Sequence, residues 1–190
     1  MNKLLASSVV VALGLCAAMA TFALLASNPD DSVSPVSARP PVWTEVKWPF
    51  ATDQWGRGKA FECRPVDCGG KTSLYLRAKI GFCDCTSGVA SDADVDRMSD
   101  FELFGGEASP LGAGRPITIG SMKGRSRPYA LIARNWLGKQ AISVVFNDRC
   151  DMVVATAVMA HEPPSTFEDE MIEFLNSKAV LHWAEVALGL

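Results

Sequence analysis

The chain has 190 residues, 48% of them hydrophobic, 21% charged and 8% aromatic, which suits one folded domain with a proper core. Its net charge is −3, and an acidic balance argues against a general nucleic-acid binder, which needs a basic surface to displace counterions. Only two histidines are present, so mechanisms that need several imidazoles are excluded.

The N-terminus carries the first signal. Lys3 is the only charge before the uncharged stretch Leu4 to Asn28, and Ala18-Met19-Ala20 fits a small-x-small cleavage pattern after an apolar run. Residues 1–20 therefore read as a Sec-type signal peptide. The competing reading is an uncut anchor extending to residue 26, long enough to span a bilayer. A lipoprotein signal fits less well, because bulky Leu15 precedes Cys16. Both readings export the rest of the chain to the periplasm or beyond, released or held at the inner membrane by that segment alone. Residues 21–41 follow as a flexible spacer rich in Pro, Ser and Asp. A single domain is then expected over residues 42–190, opening with Trp43, Trp48, Phe50 and Trp55.

Strands come next. Lys59–Arg64 and Ser73–Phe82 form a pair around the turn Asp67-Cys68-Gly69-Gly70. In the second, Leu74, Leu76, Ala78, Ile80 and Phe82 alternate with Tyr75, Arg77, Lys79 and Gly81, as a sheet with one buried face requires. Continued, that strand would place Cys83 and Cys85 on the polar face beside Lys79. Further strands are expected at Pro116–Gly120, Arg127–Arg134, Gln140–Asn147 and Met152–Ala160, the last two joined by a hairpin turn around Asn147 to Asp151.

Two helices close the chain. Thr166 stands at the first N-cap, ahead of Glu168, Asp169 and Glu170, and Ser177 at the second, ahead of a stripe of Val180, Trp183, Ala184, Ala187 and Leu188. The expected fold is α+β: an antiparallel sheet of about five to six strands with the two C-terminal helices packed on one side.

Cysteines carry most of the chemistry. Without Cys16, the exported domain holds Cys63, Cys68, Cys83, Cys85 and Cys150, and in an oxidising compartment such thiols pair. Cys83 and Cys85 are poor partners for each other, since extended neighbours two apart lie about 6.5–7 Å apart with near-parallel side chains. Cys63 and Cys68 can staple the first hairpin, and either Cys83 or Cys85 can reach Cys150. One thiol is left over. The alternative is a copper or zinc site built from Cys63, Cys68, Cys83 and Cys85, with Met159 and His161 as further soft ligands. Neither spacing is that of a zinc knuckle, and the C-x-x-C of thiol catalysts is absent.

Asp92, Asp94 and Asp96 match the first three ligand positions of a calcium loop. Arg97 then stands where such loops have Gly, and Leu103 where they have Glu. A helix start explains the acids better, with Ser91 as cap and Asp94 closing a capping box. His182 and Glu185, three apart on the last helix, read as a surface pair. Lys123, Arg125 and Arg127 in "GSMKGRSRPY" read as a basic turn that could contact an acidic partner, such as an envelope protein, or lipid headgroups, not as a phosphate loop. No G-x-S-x-G or H-E-x-x-H occurs. The sequence thus reads as an exported, disulfide-stabilised envelope accessory or binding protein, non-enzymatic and without a cofactor. A periplasmic metal-handling protein is the second reading, and a small hydrolase with an unrecognised site the third.

Overall fold

The computed structural model describes residues 40–132 and 134–190. The expected signal peptide, the alternative anchor and all but the end of the spacer lie outside the described residues. Among those described, no helix is long and apolar enough to cross a membrane.

Eight strands form one antiparallel sheet. They are β1 (Trp43–Val46), β2 (Lys59–Cys63), β3 (Thr72–Lys79), β4 (Ala108–Pro110), β5 (Arg115–Ile119), β6 (Met122–Leu131), β7 (Gln140–Asp148) and β8 (Asp151–Met159). Their order across the sheet is β1-β2-β3-β8-β7-β6-β4, and β5 pairs with the first half of β6. Helix α1 (Pro65–Cys68) follows β2, and α2 (Asp92–Met98) follows β3 with a 3₁₀ turn at Phe101–Phe104. Helices α3 (Phe167–Leu175) and α4 (Lys178–Leu188) end the chain. The fold is α+β as expected, with more strands than expected. The additions are β1 and β4, four and three residues long, too short to show a period.

Two layers of core lie on the two faces of this sheet. On one, Leu74, Leu76, Ile142, Val144, Phe146, Val153, Ala155 and Ala157 meet Phe167, Met171 and Leu175 of α3 and Val180, Ala184 and Leu188 of α4. On the other, Tyr129, Val145, Val154 and Val158 meet Val95 and Met98 of α2, then Phe101 and Phe104. Strands β7 and β8 are buried on both faces. This explains why "AISVVF" and "MVVATAV" run apolar without alternating.

Covering the second face corrects the expectation of a polar, solvated side. Arg77 and Lys79 are 3% and 5% exposed, whereas Ile80 and Phe82, expected in the core, are 55% and 41% exposed. Strand β3 stops at Lys79, so Cys83 and Cys85 sit in the following loop and not on the strand. Basic residues 123, 125 and 127 belong to β6 itself. The turn before them is confined to Gly120-Ser121, and the strand begins five residues earlier than expected. Charge on alternate positions looks solvated until a partner helix is known.

Both C-terminal helices begin where expected, yet neither the Thr166 nor the Ser177 hydroxyl caps its helix. Ser91 does cap α2. It accepts from the Asp94 amide, and Asp94 accepts from the Ser91 amide, which satisfies two otherwise orphaned donors.

Candidate functional site

The charged layer starts from a four-residue spacing. Asp92, Asp96 and Asp100 recur at i, i+4 and i+8 through α2 and just past its end, so the first two share one helix face. Period two puts Lys123, Arg125, Arg127 and Tyr129 on the β6 face that α2 covers. Asp92 accepts from Arg125 Nε at 3.0 Å and from the Gly114 amide at 2.9 Å. Asp96 accepts from Arg127 Nη1 at 2.7 and 2.8 Å and from the Tyr129 hydroxyl at 2.6 Å. Asp100 takes a bidentate pair from Arg77 at 2.7 and 2.9 Å, with Lys79 Nζ 2.6 Å away. Asp53 adds a second carboxylate to Arg77 from the loop after β1. Lys79 also donates to the Met98 carbonyl at 3.0 Å, at the end of α2. Three carboxylates thus pin one helical segment across β6 and β3.

The pairing shifts the titrations. The Gly114 amide and Arg125 hold the Asp92 carboxyl below the usual carboxylate range, and Ser91 does the same for Asp94. Burial, then the hydrogen bond to Asp96, pushes the Tyr129 phenol up. Burial alone would lower Arg77, but its bonds to Asp100 and the charges of Asp100 and Asp53 more than offset it and hold the guanidinium protonated.

One groove opens beside this layer. It has a volume of about 660 Å³ and lies between the loop Cys85 to Ala90 and the β5–β6 hairpin. Thr118, Lys123 and Asn147 are direct cross-strand partners in one row and form its floor. Asn147 fixes the loop above: its Oδ1 accepts from the Val89 amide at 3.1 Å and its Nδ2 donates to the Arg149 carbonyl at 2.9 Å. Gly88, at φ +59°, packs so closely that a Cβ there would fall 2.5 Å from the Asn147 amide. Asp84 braces the loop from below, accepting from the Thr86 and Ser87 amides, which hold its carboxyl below the usual range. Lys123, Arg125 and Arg149 line the groove with hydroxyls of Thr86, Ser87 and Ser121, and its described lining includes no carboxylate. Arg125 is spent on Asp92, while Lys123 has no ion-pair partner among the described residues. Arg149 is exposed in the β7–β8 turn at φ 50°, a backbone conformation uncommon outside glycine, and its guanidinium pairs with its neighbour Asp148.

Sulfur chemistry divides between the two ends of the sheet. Cys63 and Cys68 are disulfide-bonded at one end, and Cys85 and Cys150 at the other. Cys83 is a free, buried thiol whose pKa is pushed up by burial and by the carboxylates of Asp151 and Asp84, against an opposing backbone hydrogen bond. The four-cysteine metal site is not assembled. The eight residues of β3 separate the Cys63–Cys68 pair from Cys83 and Cys85 by roughly 24 Å, and three of the four sulfurs are in disulfides. Met159 does reach the Cys63 end, in one row with Cys63 and Thr72, but it is buried beneath the helices. His161 is exposed beyond the strand, beside Gly70. No group of three or more metal-ligating side chains is present among the described residues.

Of the three basic residues singled out in the sequence, only Lys123 remains available. Arg125 and Arg127 hold α2. Sequence reasoning missed Arg149 and Asn147, which reach the groove through strand register. It also missed Asp100, although the D-x-x-x-D-x-x-x-D spacing was there to be seen. Searches against protein-family models and against curated proteins return no match to this chain.

Proposed function

We propose that this is an exported, disulfide-stabilised binding protein of the cell envelope, without enzymatic activity, that recognises an acidic partner through the groove between the Cys85–Ala90 loop and the β5–β6 hairpin. The observation that carries the reading is the groove lining, with unpaired Lys123, exposed Arg149 and several hydroxyls but no carboxylate among the described lining residues, on a chain of net charge −3. A local basic site on an acidic protein steers acidic groups to one place while the remaining surface repels them. Two disulfides among the described residues support an oxidising compartment outside the cytoplasm. The N-terminal small-x-small pattern supports export by the Sec route.

The test is anisotropy of a fluorescein-labelled oligo-glutamate peptide against the mature protein. Saturable binding is expected at low salt, weakened by Lys123→Glu about tenfold or more and lost at high ionic strength. Binding that Lys123→Glu and Arg149→Glu leave unchanged would overturn the groove assignment. A full-length chain recovered from the cytoplasm with all its thiols reduced would overturn export.

A further inference from the structure

Holding the fold does not use all three sulfurs at the groove end. Cys83 is buried and unbonded, Cys85 is exposed on the groove wall, and Cys150 lies in the β7–β8 turn. The Cys83 amide donates to the Cys150 carbonyl at 3.2 Å, and its thiol lies 3.2 Å from the Arg149 carbonyl. Strand-like N–H to carbonyl contacts of this kind place Cα atoms about 5–6 Å apart, inside the range a disulfide accepts. Cys150 is therefore within reach of either neighbour. The loop closed through Cys83 is only two residues longer than the one closed through Cys85, so chain entropy hardly distinguishes the two linkages.

We propose that Cys83, Cys85 and Cys150 form a thiol–disulfide exchange site in which Cys83 displaces Cys85 from Cys150 and so delivers a reactive thiol to the groove. The Cys83 thiol gives its proton to solvent, and its thiolate attacks Cys150 Sγ. The Cys83–Cys150 bond forms as the Cys85–Cys150 bond breaks, and Cys85 leaves as a thiolate that solvent can protonate. Nothing is oxidised or reduced overall. The exposed Cys85 thiolate, in a groove lined by Lys123 and Arg149, is the better nucleophile of the two. Its substrate class is a disulfide, either a small molecule or a partner protein: attack forms a mixed disulfide at Cys85 and releases the other sulfur as a thiolate. Burial holds Cys83 protonated in the resting fold, so exchange waits on opening of the loop or on alkaline pH. This chemistry does not depend on the acidic-partner reading.

Non-reducing peptide mapping tests it. Folded, oxidised protein is held without reductant at neutral and mildly alkaline pH, then quenched in denaturant with N-ethylmaleimide. The label is expected on Cys83 at first and progressively on Cys85, with a growing Cys83–Cys150 peptide and a rate rising up to about tenfold per pH unit. Added glutathione disulfide should be captured at Cys85. In Cys83→Ala, Cys85 should stay unlabelled while Cys63–Cys68 is unchanged. Persistence of Cys85–Cys150 as the sole linkage at alkaline pH would overturn the proposal, as would equal Cys85 labelling in Cys83→Ala. Lys123→Glu, which should weaken binding of the acidic peptide, should still show the Cys83–Cys150 peptide, so the two readings fail separately.

Discussion

The two faces of the sheet are built from different physics. Under α3 and α4 the contact is apolar, from Leu74 and Phe146 to Met171 and Val180, and depends on area removed from water. Under α2 the apolar centre is ringed by Asp92, Asp96 and Asp100 on Arg125, Arg127, Arg77 and Lys79. Charge meets the first face at its edge, where Arg115 pairs with Glu168 and Asp169 of α3, so that face should respond less to salt and acid than the second, which is pinned by three carboxylates. The groove belongs to the second, its floor continuing the same strand face from Arg125 to Lys123. Charge that would be costly to bury is there used to position a helix, and one cation is left over at the open end.

The largest effect expected is at the buried carboxylate. Asp100→Ala leaves buried Lys79 without its counter-charge and Arg77 with the half-exposed Asp53 alone, and should cost about 3–5 kcal/mol in urea unfolding. Phe146→Ala, on the opposite face, should cost a similar ~3–5 kcal/mol through cavity formation. The two separate in double-mutant cycles: Lys79→Met should recover part of the Asp100→Ala deficit and none of that at Phe146. An Asp100→Ala deficit that Lys79→Met leaves untouched would break the comparison.

Acid should also tell the faces apart. Asp92 and Asp94 have folded pKa values held below their unfolded ones. Their contribution is therefore complete above the ordinary carboxylate range, near pH 4, and disappears as pH falls through the lower folded values. Hydrogen exchange in α2 should accelerate below about pH 4 before α3 and α4 respond. Simultaneous loss of protection in all three helices would remove the distinction. The smallest contrast is between caps. Ser91→Ala should cost about 1 kcal/mol, and Thr166→Ala, whose hydroxyl makes no cap bond, at most a few tenths.

How legible this was from sequence follows from the range of each interaction. Helices α3 and α4, the β7–β8 hairpin and the Ser91 capping box are local patterns, and they stand where the sequence puts them. The pairing of Cys63 with Cys68 is also local. Which of Cys83 and Cys85 meets Cys150 depends on where β3 ends, at Lys79 opposite Met152 near the start of β8, and alternation does not give that. The polar face of β3 and the basic run of β6 were misread because a charge opposite a carboxylate more than twenty residues away looks solvated in one dimension. Arg149 and Asn147 entered the groove only through the register that seats Asn147 against Lys123.

The central claim, that the open end of the charged face recognises acidic groups, is tested most directly by an NMR titration of the mature protein with the oligo-glutamate peptide. Shifts confined to residues 85–90 and to Thr118, Lys123, Asn147 and Arg149 are the predicted result. Shifts clustered instead around His161 and the Cys63–Cys68 end, or none at saturating peptide, would contradict it.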